Sequence, residues 1–123
     1  MTKFLLDANF LTIPGKFKVD VFSQLEEFGK PELFVLDIVI GELEKLRQKG
    51  GSDAIFARMG LDFIEDKGIK ILLAKCRNAD EEMLNLAGKG YIVCTQDAGL
   101  IKKLKAKKKP AITLRQKRYL VKA

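Results

Sequence analysis

Short apolar runs alternate along this chain with longer segments in which apolar residues recur every three or four positions. The short runs predict β-strands, and the longer pattern predicts amphipathic helices that bury one face. Strands are expected at residues 3–6, 33–36, 69–73, 91–94 and 111–114, and helices at residues 19–28, 38–48, 53–66, 80–89 and 97–107. Strands separated by helices of this length are typical of parallel sheets. The pattern therefore predicts an α/β fold, a three-layer α/β/α domain with a central, mostly parallel sheet.

Length and hydropathy indicate how many domains the chain forms and in which compartment it is expected. The 123 residues match the common size of one domain, spanning residues 1–123. No apolar stretch approaches the roughly 20 residues of a membrane span, and Asp7 interrupts the first apolar run before it resembles a signal peptide. A cytoplasmic protein with no membrane partner is expected.

The chain contains no histidine and only two cysteines, Cys76 and Cys94. Catalysis by Ser-His-Asp or Cys-His groups is therefore excluded, and so is any zinc site that needs an imidazole. Cys94 closes an apolar run, so a buried and unreactive thiol is expected there. Carboxylate, amide, hydroxyl and ammonium groups remain to carry the chemistry.

Positive charge is concentrated at one end of the chain. The net charge is +7, and residues 100–123 contain ten basic residues and no acidic one. A basic segment appended to a slightly acidic body favours binding to a polyanion. The alternative is a solvated face that keeps the protein in solution.

Two acidic residues follow predicted strands. Asp7 comes directly after the first strand, with Asn9 two residues on, and Asp97 follows the strand at residues 91–94, with Thr95 two residues before it. Parallel α/β sheets bind ligands outside the carboxyl ends of their strands, so both carboxylates are expected at that edge. Each acid has a simpler interpretation as a helix N-cap, a role that Asp fills well.

Two further acids lie on or beside apolar helix faces. Glu42 borders the stripe of Val39, Leu43 and Leu46, and Asp80 shares its stripe with Met83, Leu84 and Ala87. Glu81 and Glu82 are expected on the solvent side of the same helix. A buried carboxylate needs a partner or a metal ion. The alternative is that Asn78 caps this helix, Glu81 closes a capping box and Asp80 only favours the helix dipole.

Oxygen ligands without imidazole or a thiolate cluster suit Mg²⁺ or Mn²⁺. Carboxylates alone repel phosphate, so a basic surface beside them makes sense if one or two divalent ions mediate between acids and a phosphodiester. The combination is typical of metal-assisted phosphodiester hydrolysis, in which the ion activates a water and steadies the leaving oxygen.

Residues 5–9, 41–43, 78–81 and 95–97 resemble, in order, the four acidic motifs of the PIN-domain ribonucleases. The resemblance covers nearly the whole chain. It implies that Asp7, Glu42, Asp80 and Asp97 are catalytic residues that bind the metal or activate water, with Asn9 and Thr95 supporting them. Residues 79–123 are most similar to the PIN endonucleases of ribosomal RNA processing and their small archaeal relatives, but the chain has no Cys-rich zinc module.

The resemblance makes RNA the expected substrate, bound by the basic end. Its expected contacts are Lys102, Lys103, Lys105, Arg115, Lys117 and Arg118. A homodimer, and a ribosome-assembly partner, are further expectations from the same family. Within it, the rival interpretation is a VapC-type toxin ribonuclease held inactive by an antitoxin.

Two alternatives lie outside that family's activity. In a non-catalytic RNA-binding module, the basic end would do the work and the acids would be caps and ion pairs. In a phosphatase, Asp7 would be the nucleophile, but Asn9 stands where a second Asp would protonate the leaving group, which makes this the weakest alternative.

Overall fold

The computed structural model describes residues 1–123, which form six strands and seven α-helices with one 3₁₀ turn at Glu26–Phe28. The strands are β1 Thr2–Leu6, β2 Pro31–Leu36, β3 Lys70–Leu72, β4 Ile92–Cys94, β5 Ala111–Arg115 and β6 Tyr119–Lys122. The helices are α1 Ala8–Leu11, α2 Ile13–Phe17, α3 Val21–Leu25, α4 Asp37–Lys49, α5 Gly51–Asp66, α6 Ala79–Ala87 and α7 Ala98–Ala106. None of the helices has the length and apolar character needed to cross a membrane.

The strands form one sheet in the order β3-β2-β1-β4-β5-β6, and every pair except β5 with β6 is parallel. The chain first adds strands on one side of β1 and then returns to add strands on the other side. Because parallel crossovers are right-handed, this reversal places α1 to α5 and α6 to α7 on opposite faces. The predicted three-layer α/β/α fold is confirmed, with its switch point between β1 and β4.

The hydrophobic core lies around the two central strands. Residues Phe4, Leu5 and Leu6 of β1 are fully buried, and so are Val93 and Cys94 of β4. A strand that is covered on both faces has no polar side, which explains the continuous apolar runs in the sequence. The predicted burial of Cys94 in the core is confirmed, and this burial raises the pKa of its thiol well above the ordinary value.

Two parts of the chain differ from the pattern's prediction. Residues 8–17, where no helix is predicted, form the short helices α1 and α2, and residues 19–28 divide into α3 and the 3₁₀ turn. The chain also ends in an unpredicted strand, β6, joined to β5 by a tight turn. Gln116 and Lys117 take the left-handed conformation in that turn, although neither residue type is a usual signal for it.

Candidate active site

A cleft of about 390 Å³ lies at the carboxyl edge of the sheet. Asp7, Glu42, Asp80 and Asp97, which are separated widely in sequence, all line it. The remaining lining residues are Ala8, Asn9, Thr12, Lys16, Leu46 and Asp53. The structure therefore brings the four predicted acids and Asn9 together at the edge where the sheet topology predicts a site.

Asp7 is the most deeply placed of these acids, with only 7% of its surface exposed. It caps α1 by accepting a 2.8 Å hydrogen bond from the backbone N–H of Ala8 through Oδ1. Burial raises the pKa of the Asp7 carboxyl, two hydrogen bonds oppose that rise, and the charges of Asp80 and Asp97 add to it. Asp7 is thus both a helix cap and a member of the cleft.

Thr95 is fully buried beneath the cleft and connects two of the acids. Its hydroxyl donates to Oδ2 of Asp7 at 2.7 Å and accepts from the backbone N–H of Asp97 at 3.1 Å. Asn9 lies beside this pair, and its Oδ1 accepts from the backbone N–H of Gln96 at 2.9 Å. The predicted supporting residues therefore link the end of β1 to the end of β4.

Gln96 extends the same network to β5, a contact that the sequence pattern does not reveal. Its Oε1 accepts from the Thr113 hydroxyl and from the backbone N–H of Leu114, both at 2.7 Å. The loop after β4 is therefore fixed to the strands on either side of it.

Asp97 begins α7 at the same edge. Its Oδ1 accepts from the backbone N–H groups of Gly99 at 2.9 Å and Leu100 at 3.2 Å, as an N-cap does. No hydrogen bond occupies its second carboxylate oxygen. Capping and lining the cleft are therefore compatible roles for this residue.

Glu42 and Asp80 complete the predicted set from α4 and α6. Asp80 is half-buried, whereas Glu42 is exposed, so Glu42 is less enclosed by the apolar stripe than the helix pattern indicates. Partial desolvation raises the pKa of the Glu42 carboxyl, and the charges of Asp7 and Asp80 raise it further. Glu42 is therefore influenced both by its partial burial and by the charges of two other acids of the cleft.

In the first turn of α6, one residue does not lie on the helix face that the sequence pattern predicts. Asn78 does cap this helix, accepting from the backbone N–H of Glu81 at 3.1 Å. Glu82, however, is 4% exposed and not on the solvent side. Its Oε2 accepts from the backbone N–H of Lys75, because the loop before α6 folds back over the helix, which helical periodicity alone does not anticipate.

Two charged residues of the cleft are absent from the sequence-based set. Asp53 reaches it from the first turn of α5, where an acid is typical of any helix start. Lys16 reaches it from α2, a helix that the pattern does not predict. Pro14 and Gly15, which precede Lys16, are typical of a turn, so the sequence pattern does not predict a helix that would place this lysine at the cleft.

The donor set of the cleft fits a hard divalent cation, since it consists of carboxylate and amide oxygens without imidazole or thiolate. No group of three or more acidic or thiol side chains is already arranged to hold a metal ion. Mg²⁺ in proteins usually keeps several waters and takes part of its shell from substrate phosphate.

The basic C-terminal segment divides between the two edges of the sheet. Because β5 runs parallel to β4, the turn after Arg115 lies at the carboxyl edge, where Lys117 and Arg118 are exposed. Helix α7 descends from Asp97 toward the start of β5, carrying exposed Lys102, Lys103 and Lys105 away from that edge. The predicted RNA contacts are therefore two separate groups.

Comparisons with known proteins place the chain in a family. A model described as "PIN like domain" matches residues 4–117. Ribonuclease VapC4 of Methanocaldococcus jannaschii is 32% identical over 126 residues, covering 97% of this chain and 95% of the relative.

Two solved structures have a similar fold. The PIN domain endonuclease Utp24 is 24% identical with a TM-score of 0.71, and the match covers 94% of this chain and 89% of that one. A domain of a functionally unknown protein from Methanocaldococcus jannaschii is 17% identical with a TM-score of 0.62, covering 94% and 92% of the two chains. With a family model that spans almost the whole sequence and a relative of matching length, this chain belongs to the PIN-domain ribonuclease family.

Proposed function

We propose that residues 1–123 form a single metal-dependent endoribonuclease domain that hydrolyses RNA phosphodiester bonds in RNA processing, with ribosomal RNA as the favoured substrate class. The observation that carries the proposal is the meeting of Asp7, Glu42, Asp80 and Asp97 in one cleft. Burial and, after it, the charges of the neighbouring acids raise the pKa values of Asp7 and Glu42, and a bound cation would favour the ionised form of both.

Each acid has a defined part in this proposal. Asp7, held from below by Thr95, and Asp97, held by its cap to α7, provide fixed oxygens. Glu42 and Asp80 accept no hydrogen bonds from the protein, so they are free to adjust to one or two Mg²⁺ or Mn²⁺ ions and to the attacking water. The ion, when bound, lowers the pKa of a water and stabilises charge on the leaving oxygen.

The basic segment supports RNA as the substrate. Arg115, Lys117 and Arg118 lie at the same edge as the cleft, where they offer cations to a strand that enters it. Lys102, Lys103 and Lys105 extend the positive surface along α7. Neutralisation of phosphates by these side chains supplies affinity that is independent of sequence.

A second candidate is a toxin ribonuclease, and the 32% identity to Ribonuclease VapC4 over nearly the whole chain favours it. Its chemistry would be the same, but its partner would be an antitoxin rather than an assembling ribosome. A neighbouring gene that encodes a small DNA-binding protein, together with copurification of that protein with this chain, would favour the toxin function. A homodimer stays a prediction in both cases.

The direct experiment incubates the purified protein with labelled structured and unstructured RNAs in Mn²⁺, Mg²⁺ or EDTA. Cleavage within the RNA is expected with either ion and not in EDTA, and Asp97→Asn is expected to be inactive although it can still cap α7. Binding of RNA with no cleavage under any of these conditions would identify a non-catalytic RNA-binding module.

A further inference from the structure

One basic residue lines the cleft together with its acids. Five of the lining residues, Asp7, Glu42, Asp53, Asp80 and Asp97, are acidic, and Lys16 is the single basic one. A lining of this composition is strongly negative, so a phosphodiester that approaches it is repelled. Lys16 is the only lining side chain whose positive charge attracts the phosphate.

The backbone that carries Lys16 is held firmly against α5. A Cβ atom on Gly15 would lie 2.8 Å from Cδ1 of Phe56 and 3.0 Å from Sδ of Met59, so only glycine permits this approach. Within α2, the N–H of Lys16 donates to the carbonyl of Thr12 at 3.0 Å. The backbone of Lys16 is therefore fixed at the rim of the cleft, while its long side chain is free to move.

The ammonium group of Lys16 is not used by the protein itself. The chain forms two salt bridges, Arg47 with Glu44 and Lys70 with Glu32, and neither includes Lys16. No hydrogen bond engages its Nζ, and the residue is exposed. A cation that lines the cleft and has no partner in the protein is available to a ligand with a negative charge.

A second basic residue, Lys117, lies near the end of α2 that carries Lys16. Nζ of Lys117, in the turn between β5 and β6, lies 5.6 Å from the centre of the Phe17 ring. Phe17 directly follows Lys16 at the end of α2. The contact therefore brings the basic turn to the end of α2 that carries Lys16.

We propose that Lys16 binds a backbone phosphate of the RNA strand beside the linkage that is cut, on the side of the cleft nearer the turn that carries Lys117. The inference rests on the proposed ribonuclease activity and adds a substrate-binding residue to it. Lys16 attracts the phosphate that the acids repel, and its backbone position at the rim of the cleft limits the phosphates that it can reach. A lysine ammonium suits this role because it acts as a point charge toward phosphate oxygens.

The test compares Lys16→Gln with Lys18→Gln. Lys18 is equally exposed and two residues away, but it does not line the cleft, so the pair removes the same charge from neighbouring positions. In Mn²⁺, Lys16→Gln is expected to lower kcat/KM on single-stranded RNA by about ten- to a hundredfold, the usual worth of one charge-assisted hydrogen bond. Lys16→Arg should restore most of it, and Lys18→Gln should match the wild type.

A binding measurement gives a readout that does not depend on cleavage. In an Asp97→Asn background, the slope of log affinity against log salt should decrease by about 0.7 when Lys16 is replaced by Gln, as expected for one lost phosphate contact. Replacing the contacted phosphate by a neutral methylphosphonate should weaken binding to the parent but not to the Lys16→Gln form.

The outcomes separate the two proposals. Wild-type cleavage in Mn²⁺ together with unchanged kcat/KM and salt slope for Lys16→Gln would overturn the role of Lys16 and leave the ribonuclease intact. Equal losses in Lys16→Gln and Lys18→Gln would also overturn it, because they would reflect general charge. No cleavage by the wild type with any divalent ion would overturn the proposed function itself.

Discussion

The Thr95 hydroxyl donates a 2.7 Å hydrogen bond to Oδ2 of Asp7, joining residues 88 positions apart in the chain. The bond favours the ionised carboxylate and lowers the pKa of Asp7, whereas burial of the side chain raises that pKa more strongly. Thr95 therefore keeps a buried acid close to the ionised form that a metal ligand requires. Because the same hydroxyl accepts from the N–H of Asp97, it also fixes the distance between two acids of the cleft.

Replacing Thr95 by valine tests this link. The substitution conserves shape but removes the hydroxyl, so the N–H of Asp97 loses its partner and the pKa of Asp7 moves further upward. We expect the free energy of unfolding to fall by about 1 to 3 kcal/mol and metal affinity near neutral pH to decrease. Thr95→Ser, which retains the hydroxyl, should restore metal affinity in titrations of the folded protein. Equal metal affinity in the Val and Ser variants would contradict the link.

Asp80→Asn tests the repulsion between the acids. Asp80 raises the pKa values of Asp7 and Glu42 by its charge, so its neutralisation should abolish cleavage yet leave the metal-free fold as stable or more stable. A gain of up to about 1 kcal/mol is expected at neutral pH. Glu81→Gln, on the exposed side of α6, should retain most of the activity.

The pH dependence of that gain has a defined sign. An acid whose pKa is raised by folding contributes stability at low pH, and this contribution is lost as the pH rises through the folded pKa. The stability difference between Asp80→Asn and the wild type should therefore be small near pH 3 and grow toward neutral pH. Chemical denaturation in EDTA measures it, and a difference that shrinks as the pH rises would contradict the repulsion.

Glu82 has a structural role that its helix position conceals. Its buried carboxylate accepts from the N–H of Lys75, and Asp37 accepts from the N–H of Ala74 at 2.9 Å, so two acids hold the loop that leads to Asp80. Glu82→Ala leaves a backbone donor unpaired and should cost about 1 to 3 kcal/mol of stability. Glu81→Ala should cost less than about 1 kcal/mol in the same thermal or chemical unfolding measurement, and an equal loss would refute the assignment.

Two groups of lysines, one in α7 and one in the loop that follows it, provide a matched test for RNA binding. Replacing Lys102, Lys103 and Lys105 with Gln should flatten the salt dependence of RNA affinity, by about 0.7 per lost contact for a single strand, and weaken binding to all sequences alike. The same change at Lys107, Lys108 and Lys109 removes an equal charge from the loop between α7 and β5, farther along the chain from the cleft. This second change should have a smaller effect on the slope of log affinity against log salt. Equal effects of the two changes would indicate that the lysines attract RNA only through general charge.

The central fold was predictable because its strands are continuous apolar runs and its helices have one apolar face. The convergence of Asp7 and Asp97 followed from the rule that parallel strands end at one edge. Lys16 was not predictable in the same way, since α2 is five residues long and its Pro14 and Gly15 give the signal of a turn.

Other features depend on contacts between distant residues. Glu82 became buried through a loop that covers α6, and Asp53 joined the cleft because α5 folds back along α4. A periodic pattern describes one helix at a time, so it cannot report what covers the helix. The turn at Gln116 and Lys117 is stabilised instead by the strands on either side and by Gln24, whose side chain binds the backbone of Arg118 and Leu120.

The chemical identity of the RNA ends tests the central claim most directly. If the carboxylates hold a metal that activates water, the attack on phosphorus does not need the ribose 2′-hydroxyl. The products of wild-type cleavage in Mn²⁺ should then carry a 5′-phosphate and a 3′-hydroxyl, and cleavage should stop in EDTA and resume when the ion is restored. A 2′,3′-cyclic phosphate, or cleavage that persists in EDTA, would contradict the roles assigned to Asp7, Glu42, Asp80 and Asp97.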